Sequence, residues 1–278
     1  MRGPPSMKTS ISIPELQYRH GILATGSRIV PEEVPIAFSY GGSTHAVMMA
    51  TPADLEDFAL GFSLSEGIIS GPADIVSIET VEAGDGVDVQ IVLADATAEA
   101  LTSRRRHMAG PVGCGLCGIE SIEQAMRQVP SVEAGDFCLT PAQVAEAVKL
   151  LGDGQKLNRE TRAVHGAGFF VPGHGLVALR EDVGRHNALD KLSGAVIRAG
   201  YSGRQGAVVV TSRLSVEMVQ KTAALKCPVL IAVSAPTALA IRTAEEAGIM
   251  LVGIARGDEF EIFTRSERII SGVNAHVA

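Results

Sequence analysis

From Gly206 to Ile254 the chain reads GAVVVTSRLSVEMVQKTAALKCPVLIAVSAPTALAIRTAEEAGIMLVGI. Three uninterrupted apolar runs alternate here with two amphipathic segments. The apolar runs are Gly206–Thr211, Val229–Val233 and Ile249–Ile254. Strands without polar positions are typical of sheets covered on both faces, and their alternation with helices indicates parallel pairing. The stretch therefore predicts the centre of a three-layer α/β domain.

The residues before this stretch extend the same domain. Ala163–Val171 and Gly175–Arg180 are predicted to form a hairpin, and Asn187–Ala199 a helix. Thr140-Pro141 has the residue types that open a helix. We assign residues 136–270 to this domain and residues 109–135 to a loop with a connecting helix.

The first half of the chain has a different pattern. Two pairs of short strands around glycine-rich turns flank one helix, in which Leu55, Phe58, Ala59 and Phe62 share a face. The predicted strand pairs are Pro35–Tyr40 with His45–Ala50, and Ile75–Val81 with Val87–Leu93. This pattern predicts a small α+β domain over residues 21–108, preceded by a flexible tail over residues 1–20.

Composition excludes several classes of protein. The chain has 278 residues, is 46% hydrophobic and carries a formal net charge of −7, which argues against bulk binding of nucleic acid or of an anionic membrane surface. No run approaches the roughly 20 apolar residues of a membrane span, and the first residues lack the apolar core of a signal peptide. Four cysteines are too few for a disulfide framework in a chain of this length. We expect a cytoplasmic protein with reduced thiols.

Two of the cysteines lie close together in a glycine-rich stretch, GPVGCGLCGIES, in which two residues separate Cys114 from Cys117. Such a stretch predicts an accessible loop, and a helix beginning near Glu120 would lower the pKa of a nearby thiol. We interpret the pair as a sulfur carrier or nucleophile. A structural zinc site, a thioredoxin-like dithiol and a loop with incidental thiols remain open. Zinc usually needs four ligands, whereas Cys138 and Cys227 stand singly.

Polar clusters follow four predicted strands of the α/β domain. They span residues 180–187, 211–215, 234–237 and 256–258. Ligands of open α/β sheets bind beyond the carboxyl ends of the strands, where helix N-termini favour anions. We therefore expect a phosphate-bearing ligand near Arg180, Arg213, Ser234 and Arg256, with capping and turn formation as the alternative at each position.

Three further residues are candidates for this pocket. Lys191 and Lys221 lie one turn into their predicted helices and would add positive charge. His165 has small neighbours that would let a ligand approach, and it is assigned equally to the core or to the pocket.

Four of these motifs together resemble the FdhD family of sulfur carrier proteins, also called formate dehydrogenase accessory sulfurtransferases. The motifs are CGLCG at 114–118, EDVGRHNALDK at 181–191, SRLSVE at 212–217 and SAPT at 234–237. The resemblance runs from roughly Pro35 to Thr264, with the motifs in order, and it implies a cytidine-deaminase-like fold for the α/β domain.

The resemblance also implies a function. A cysteine desulfurase would donate persulfide sulfur to Cys114, with Cys117 as its helper. The sulfur would then pass to the molybdenum cofactor of formate dehydrogenase, bis-molybdopterin guanine dinucleotide, so that this polyanion and guanine nucleotides become expected ligands. A homodimer without a structural metal is also implied. The implied cofactor-binding segment consists of Ile254, Ala255, Arg256, Gly257, Asp258 and Glu259.

Departures and alternatives accompany this assignment. Ile254 and Phe263 stand where relatives are expected to carry Phe and Tyr, so stacking of a ring on guanine at Ile254 is not expected here. Deaminase chemistry is disfavoured because His165-Gly166-Ala167 lacks the glutamate that zinc deaminases use. The remaining alternatives are a chaperone that binds the cofactor without transferring sulfur, and a zinc or redox Cys-x-x-Cys protein.

Overall fold

The computed structural model of the chain describes residues 7–107, 129–133 and 135–270, with a backbone description only for 104–107. Cys114, Cys117, their predicted loop and the connecting helix predicted at Ser121–Val129 therefore lie outside the described residues, apart from Val129, which is not helical. The described residues form three sheets and seven α-helices. No helix among them is long and apolar enough to cross a membrane.

The first residues of the described chain form a long hairpin. Strands β1 (Ser10–Arg19) and β2 (Ile22–Pro31) pair only with each other, around a turn at His20 and Gly21 that have φ of 51° and 84°. The prediction of a flexible tail over residues 1–20 is wrong for this part. Ile11 and Ile13, and after Pro14-Glu15 also Leu16 and Tyr18, alternate with polar residues, and a glycine follows at position 21. This is the hairpin signal that a composition-based reading overlooks.

The first-half domain is a four-stranded sheet packed on one helix. Its sheet order is β4-β3-β6-β5, in which the two predicted hairpins join through parallel β3 and β6. Aromatic residues of the helix fill the core against the sheet; Phe38, for example, stacks on Phe62 with ring centroids 4.5 Å apart. The elements are β3 (Val34–Tyr40), β4 (Ser43–Ala50), α1 (Leu55–Ser65), β5 (Ile75–Ala83), β6 (Gly86–Leu93) and α2 (Asp95–His107).

The second half is built on a six-stranded sheet of order β12-β11-β10-β9-β7-β8, with β9, β10 and β11 parallel. The edge strand β12, antiparallel to β11, is absent from the sequence-based prediction. The elements are α3 (Pro141–Gly154), α4 (Lys156–Thr161), β7 (His165–Val171), β8 (Gly175–Asp182), α5 (Arg185–Arg198), β9 (Ala207–Val210), α6 (Val216–Ala224), β10 (Val229–Ala232), α7 (Ala238–Ala247), β11 (Met250–Arg256) and β12 (Glu259–Ile262).

Helices cover both faces of this sheet. Along β9, Val208 and Val210 pack into the core shared with α5, α6 and α7, whereas Ala207 and Val209 pack into the core shared with α3. All four side chains are buried, which is why the strand carries no polar position. The mixed α/β character and the two-sided burial follow the prediction. The finer cytidine-deaminase-like layout stays a prediction.

The two halves meet where α1 crosses α5 at very short range. A Cβ on Gly61 of α1 would lie 1.8 Å from the carbonyl oxygen of Asp190, and one on Gly194 of α5 would lie 1.9 Å from that of Asp57. Only glycine permits such an approach of two helix backbones. The crossing fixes the start of α5, and with it the edge described next, against the first-half domain.

Candidate functional site

The candidate site lies at the edge of the six-stranded sheet where β8, β9, β10 and β11 end and β7 begins. His165 pairs with Asp182 and Ala167 with Val210, so the start of β7 lies beside the ends of β8 and β9. Hydrogen bonds join the loops that follow the strands. The amide of Gly166 donates to Oγ1 of Thr211 at 3.0 Å, and that of Ile254 donates to the carbonyl oxygen of Ser234 at 3.2 Å. The predicted clustering of the strand exits is thus present.

Asp182 anchors the turn that leads from β8 into α5. Its Oδ1 accepts from the amide of Gly184 and from Nδ2 of Asn187, at 2.8 and 2.9 Å. Its Oδ2 accepts from the amide of Thr51 in the first half and from Nζ of Lys191, at 3.1 and 2.6 Å. Four donors on one fully buried carboxylate hold the turn in a single geometry.

The turn presents Arg185 and His186 at the beginning of α5. Nε of Arg185 is buried and has no hydrogen-bond partner among the described residues. Nε2 of His186 pairs with Oε2 of Glu217 on α6 at 3.0 Å, and the two side chains are 29% and 32% exposed. At the beginning of α5 the structure thus places one arginine with an unused donor and one histidine that is paired with a glutamate.

Both histidines of the edge are held towards their neutral form. Burial lowers the pKa of His186, with Arg185 and Lys221 acting in the same direction and Glu217 opposing them. Burial and the charge of Arg185 also lower the pKa of His165, which Asp182 opposes. His165 is half-buried at the sheet edge, which places it beside the candidate pocket.

Arg180 was predicted to lie beside a phosphate-bearing ligand, but its guanidinium is bound within the protein. Its Nη2 and Nε donate to Oδ2 of Asp57 at 2.6 and 2.8 Å, and Nε lies 3.4 Å from Oδ1 of Asp54. The guanidinium is therefore held by α1 and its N-cap residue in the first half. Sequence position alone placed Arg180 at a strand end but could not show which face its side chain takes.

Lys191 and Lys221 are also removed from the predicted pocket. Lys191 is fully buried and bound to Asp182, and Nζ of Lys221 lies 2.7 Å from Oδ2 of Asp190. The prediction that they add charge to the pocket is wrong, because each lysine is neutralised by its own aspartate. Burial raises the pKa of Asp190, which Lys221 opposes.

Arg213, Ser234 and Arg256 remain at the edge. Arg213 and Arg256 are exposed, and neither forms an ion pair with any residue in the described ranges. Ser234 is half-buried and stands four residues before the first residue of α7. An anion at this edge would therefore meet two exposed arginines that are not held by an ion pair within the described residues.

The segment 254–259 forms the bulge and turn of the β11–β12 hairpin. The pairing shifts between Gly253 and Arg256, and Ile254 has φ of 54°, a conformation that costs a β-branched residue more than most. Ile254 is 36% exposed, whereas Ala255 is buried. Gly257 makes the turn with φ of 61°, and Asp258 and Glu259 follow it as exposed carboxylates. The segment thus presents one cation and two anions to solvent.

The structure describes two cysteines, Cys138 and Cys227, and Cys227 differs from a reactive thiol. Cys227 is fully buried, its Sγ contacts the carbonyl oxygens of Gly206 and Val229, and burial raises its pKa to about 12. Such a thiol is inert at neutral pH. Cys138 is half-buried. Within the described part of the chain, no group of three or more His, Cys, Asp or Glu residues is placed to hold a metal ion.

Sequence reasoning placed Arg185, His186 and Glu217 in its motifs without assigning them a role, and it missed Gln155. The first two stand in the motif EDVGRHNALDK, but nothing in the motif separates the residues that face the pocket from those that anchor the turn. Gln155 is buried, with 6% of its surface exposed, and its Nε2 has no hydrogen-bond partner among the described residues. Its side chain lies over Gly166, where a Cβ would come within 2.6 Å of Nε2.

Comparison with known proteins identifies the relatives of this chain. The model of the FdhD/NarQ family matches residues 31–270. A sulfur carrier protein FdhD of Agrobacterium fabrum is 69% identical over 252 residues, which cover 91% of this chain and 93% of the relative. The protein of the same name from Brucella abortus is 55% identical over 265 residues, covering 95% and 98%.

A solved structure has the same fold. The crystal structure of a formate dehydrogenase accessory protein from Desulfotalea psychrophila superposes with a TM-score of 0.76 at 26% identity. The match covers 95% of this chain and all of that one.

Proposed function

This chain belongs to the FdhD/NarQ family, and we propose that it carries sulfur from a cysteine desulfurase to the molybdenum cofactor of formate dehydrogenase. Its relatives are named sulfur carrier proteins, and its structural neighbour a formate dehydrogenase accessory protein. The single observation that carries the cofactor half of the proposal is the sheet edge at which the exposed Arg213 and Arg256 form no ion pair within the described residues.

The loading step is a thiolate exchange at Cys114. The Cys114 thiolate attacks the outer sulfur of the desulfurase persulfide, the S–S bond of the donor breaks, and the donor cysteine leaves as a thiolate. Cys114 then holds the persulfide. No net oxidation occurs in this exchange, because one persulfide is consumed for each one formed. Cys227, with its pKa of about 12, does not compete for the sulfur.

Delivery uses the second cysteine of the pair. The Cys117 thiolate attacks the inner sulfur of the Cys114 persulfide, which releases the outer sulfur as hydrosulfide and leaves a Cys114–Cys117 disulfide. A cellular dithiol reductant restores the two thiols. The chain then acts as a sulfurtransferase whose acceptor, bis-molybdopterin guanine dinucleotide, is a substrate bound at the sheet edge and not a resident cofactor.

The sheet edge suits a large polyanion. Arg213 lies in the loop after β9 and Arg256 is the last residue of β11, and these two strands are separated by one strand, so their axes are about 10 Å apart. An extended ligand with several phosphates can contact both. The carboxylates of Asp258 and Glu259 restrict phosphate binding to the other side of Arg256.

We further propose that the protein is a cytoplasmic homodimer joined through the β1–β2 hairpin. Leu16, Tyr18 and Leu23 lie on one face of this hairpin, since Tyr18 pairs with Leu23, and are 64%, 71% and 62% exposed. A two-stranded hairpin is marginally stable alone. Its apolar face therefore calls for a partner surface, and a second copy of the chain supplies an identical one.

Mass spectrometry tests whether the chain carries sulfur. After incubation with desulfurase and cysteine, the intact mass should rise by about 32 Da, mapped to Cys114. A Cys114→Ser, Cys117→Ser variant that still gains sulfur would exclude the carrier role and leave a cofactor-binding chaperone. Cys227→Ala is the matched control and should load normally.

Calorimetric titration with GDP tests the cofactor edge. Arg256→Ala should weaken binding about ten- to hundredfold, the loss expected for one hydrogen bond to a charged group. Cys114→Ser should bind like the unaltered protein, because the thiol reacts with the sulfur donor and does not hold the nucleotide. Unchanged GDP affinity in Arg256→Ala would show that the nucleotide does not bind at the end of β11.

A further inference from the structure

A group of exposed cations lies on the short helix α4 and on the strand packed against it. We call this group the basic cluster, and its members are Arg28, Lys156, Arg159 and Arg162. Nη2 of Arg28 on β2 donates to the carbonyl oxygen of Thr161 at 3.2 Å, which brings this side chain to the end of α4. Arg162 is the C-cap residue of the same helix. The fold therefore gathers on one surface cations that are up to 134 positions apart in the chain.

The basic cluster has no counter-charge inside the described part of the chain. None of its four side chains forms an ion pair there, whereas Arg198, which is also half exposed, pairs with Glu56 and Asp57. Glu160 is the one carboxylate on α4. Lys156 and Arg159 are three residues apart and thus neighbours on the helix surface, where like charges repel. An anionic partner would relieve this repulsion.

The basic cluster is held rigidly beside the candidate site. The carboxylate of Glu181, near the end of β8, accepts from the amides of Leu157 and Asn158 at 2.8 Å each, and this fixes the first turn of α4. Arg162 precedes His165, the first residue of β7, by three positions. The cluster therefore adjoins the ligand edge, but it lies on a helix outside the strand ends that form this edge.

We propose that the basic cluster binds an acidic surface of the formate dehydrogenase that receives the sulfur. The inference rests on the proposed function, which makes this enzyme the recipient. A protein that takes over a ligand from the sheet edge has to approach that edge, and α4 borders it. An extended polyanion such as a nucleic acid fits less well, because the whole chain carries a net charge of −7. Exposed charges of this kind act mainly on the association rate and on its dependence on salt.

Biolayer interferometry with immobilised, cofactor-free formate dehydrogenase tests the inference. The test variant combines Lys156→Gln, Arg159→Gln and Arg162→Gln. At an ionic strength of about 0.1 M we expect its association rate constant to be about tenfold lower than that of the unaltered protein. At about 1 M, where the Debye length is about 3 Å, the two proteins should associate equally fast. Arg28 is left unaltered because its guanidinium also holds β2 to α4.

The matched control removes the same charge at exposed positions away from α4. It combines Arg204→Gln, Lys226→Gln and Arg242→Gln. Arg204 and Lys226 precede β9 and β10 at the other end of the sheet, and Arg242 lies on α7, which covers the sheet face opposite to α3. The control should associate within about twofold of the unaltered protein, because only the local charge beside the ligand edge is removed in the test variant.

GDP titration and sulfur loading of the same variants separate the outcomes. The test variant should bind GDP and gain persulfide sulfur like the unaltered protein, which also shows that it is folded. Equal association rates in the test variant and the control overturn the inference and leave the proposed function standing. Weaker GDP binding by the test variant would assign the cluster to the nucleotide, and slower loading would assign it to the sulfur donor; either result overturns the inference. An unaltered protein that takes up no sulfur overturns the proposed function on which the inference rests.

Discussion

Nζ of Lys191 lies 2.6 Å from Oδ2 of Asp182, and both side chains are completely excluded from solvent. The same ammonium donates to the carbonyl oxygen of Thr51 at 2.8 Å and lies 5.4 Å from the ring centroid of Phe58. One buried ion pair thus joins the two halves of the chain directly beneath the candidate site. This ion pair stabilises the turn to α5 and does not itself contact the ligand edge.

Lys191→Met should lower the free energy of unfolding by about 3–5 kcal/mol, because it leaves the carboxylate of Asp182 buried without its counter-ion. Lys149→Met is the control, since Lys149 and Asp153 form an exposed pair of the kind worth at most about 1 kcal/mol. Denaturant unfolding measures both. Equal losses in the two variants would contradict the structural role of the buried pair.

Arg180→Gln should leave GDP affinity within about twofold of the unaltered value. Its guanidinium binds Asp57, which also accepts from Nη1 of Arg198 at 2.8 Å, so the substitution removes contacts between the halves and none at the ligand edge. The expected effect is a lower unfolding midpoint in a binding-competent protein. A tenfold loss of GDP affinity in Arg180→Gln with unchanged stability would show that Arg180 does contact the nucleotide.

Stability should fall as pH falls below about 6.5, the unfolded pKa of histidine. The folded pKa values of His165 and His186 are lowered, so between the folded value and 6.5 the unfolded state binds more protons. The stability that these histidines contribute is present above this window and is lost on acidification through it. Each contributes at most about 1.4 kcal/mol per pH unit.

The measurement compares thermal unfolding of the unaltered protein with that of His165→Gln and His186→Gln at pH 7.5, 6.5 and 5.5. Each variant should lose less stability on acidification than the unaltered protein. His174→Gln is the control, because His174 lies in the turn between β7 and β8 at the other edge of the sheet. If His186→Gln lost more stability on acidification than the unaltered protein, the pKa of His186 would be raised in the folded state and not lowered.

Cys227 should resist alkylation by iodoacetamide in the native protein. With a pKa of about 12 its thiolate fraction at pH 7 is negligible, and the side chain is fully buried. In denaturant it should react completely, which serves as the internal control. Rapid labelling of Cys227 in the native state would show that the core around β9 and β10 opens readily.

Leu16→Ser, Tyr18→Ser and Leu23→Ser together should convert the proposed dimer to a monomer, because they remove the apolar face of the β1–β2 hairpin. Light scattering at micromolar concentration measures the mass. The matched control replaces three exposed valines of the four-stranded sheet: Val76, Val81 and Val92. Dissociation by the control set alone would locate the interface on that sheet.

Apolar runs and their periods were sufficient to predict the buried strands and the helices around the site, but not the edge strand β12. The buried strands β9, β10 and β11 and the helices between them follow from uninterrupted valine, leucine and isoleucine runs, because such runs are stable only between two covering layers. The motif resemblance likewise identified the family from the chain alone. A local sequence pattern predicts a strand or helix reliably where burial of that element alone determines which residue types it can carry.

The sequence by itself determined the mixed α/β class, the meeting of strand exits at one edge, and the family of this protein. Only the tertiary structure decided which polar residues at the strand ends are free to contact a ligand. Arg180, Lys191 and Lys221 are bound to aspartates, whereas Arg213 and Arg256 are exposed and form no ion pair within the described residues. The reason is physical: a charged side chain's role depends on the counter-charge nearest in space. Asp57 lies 123 positions away from Arg180 along the chain, and no local pattern encodes that contact.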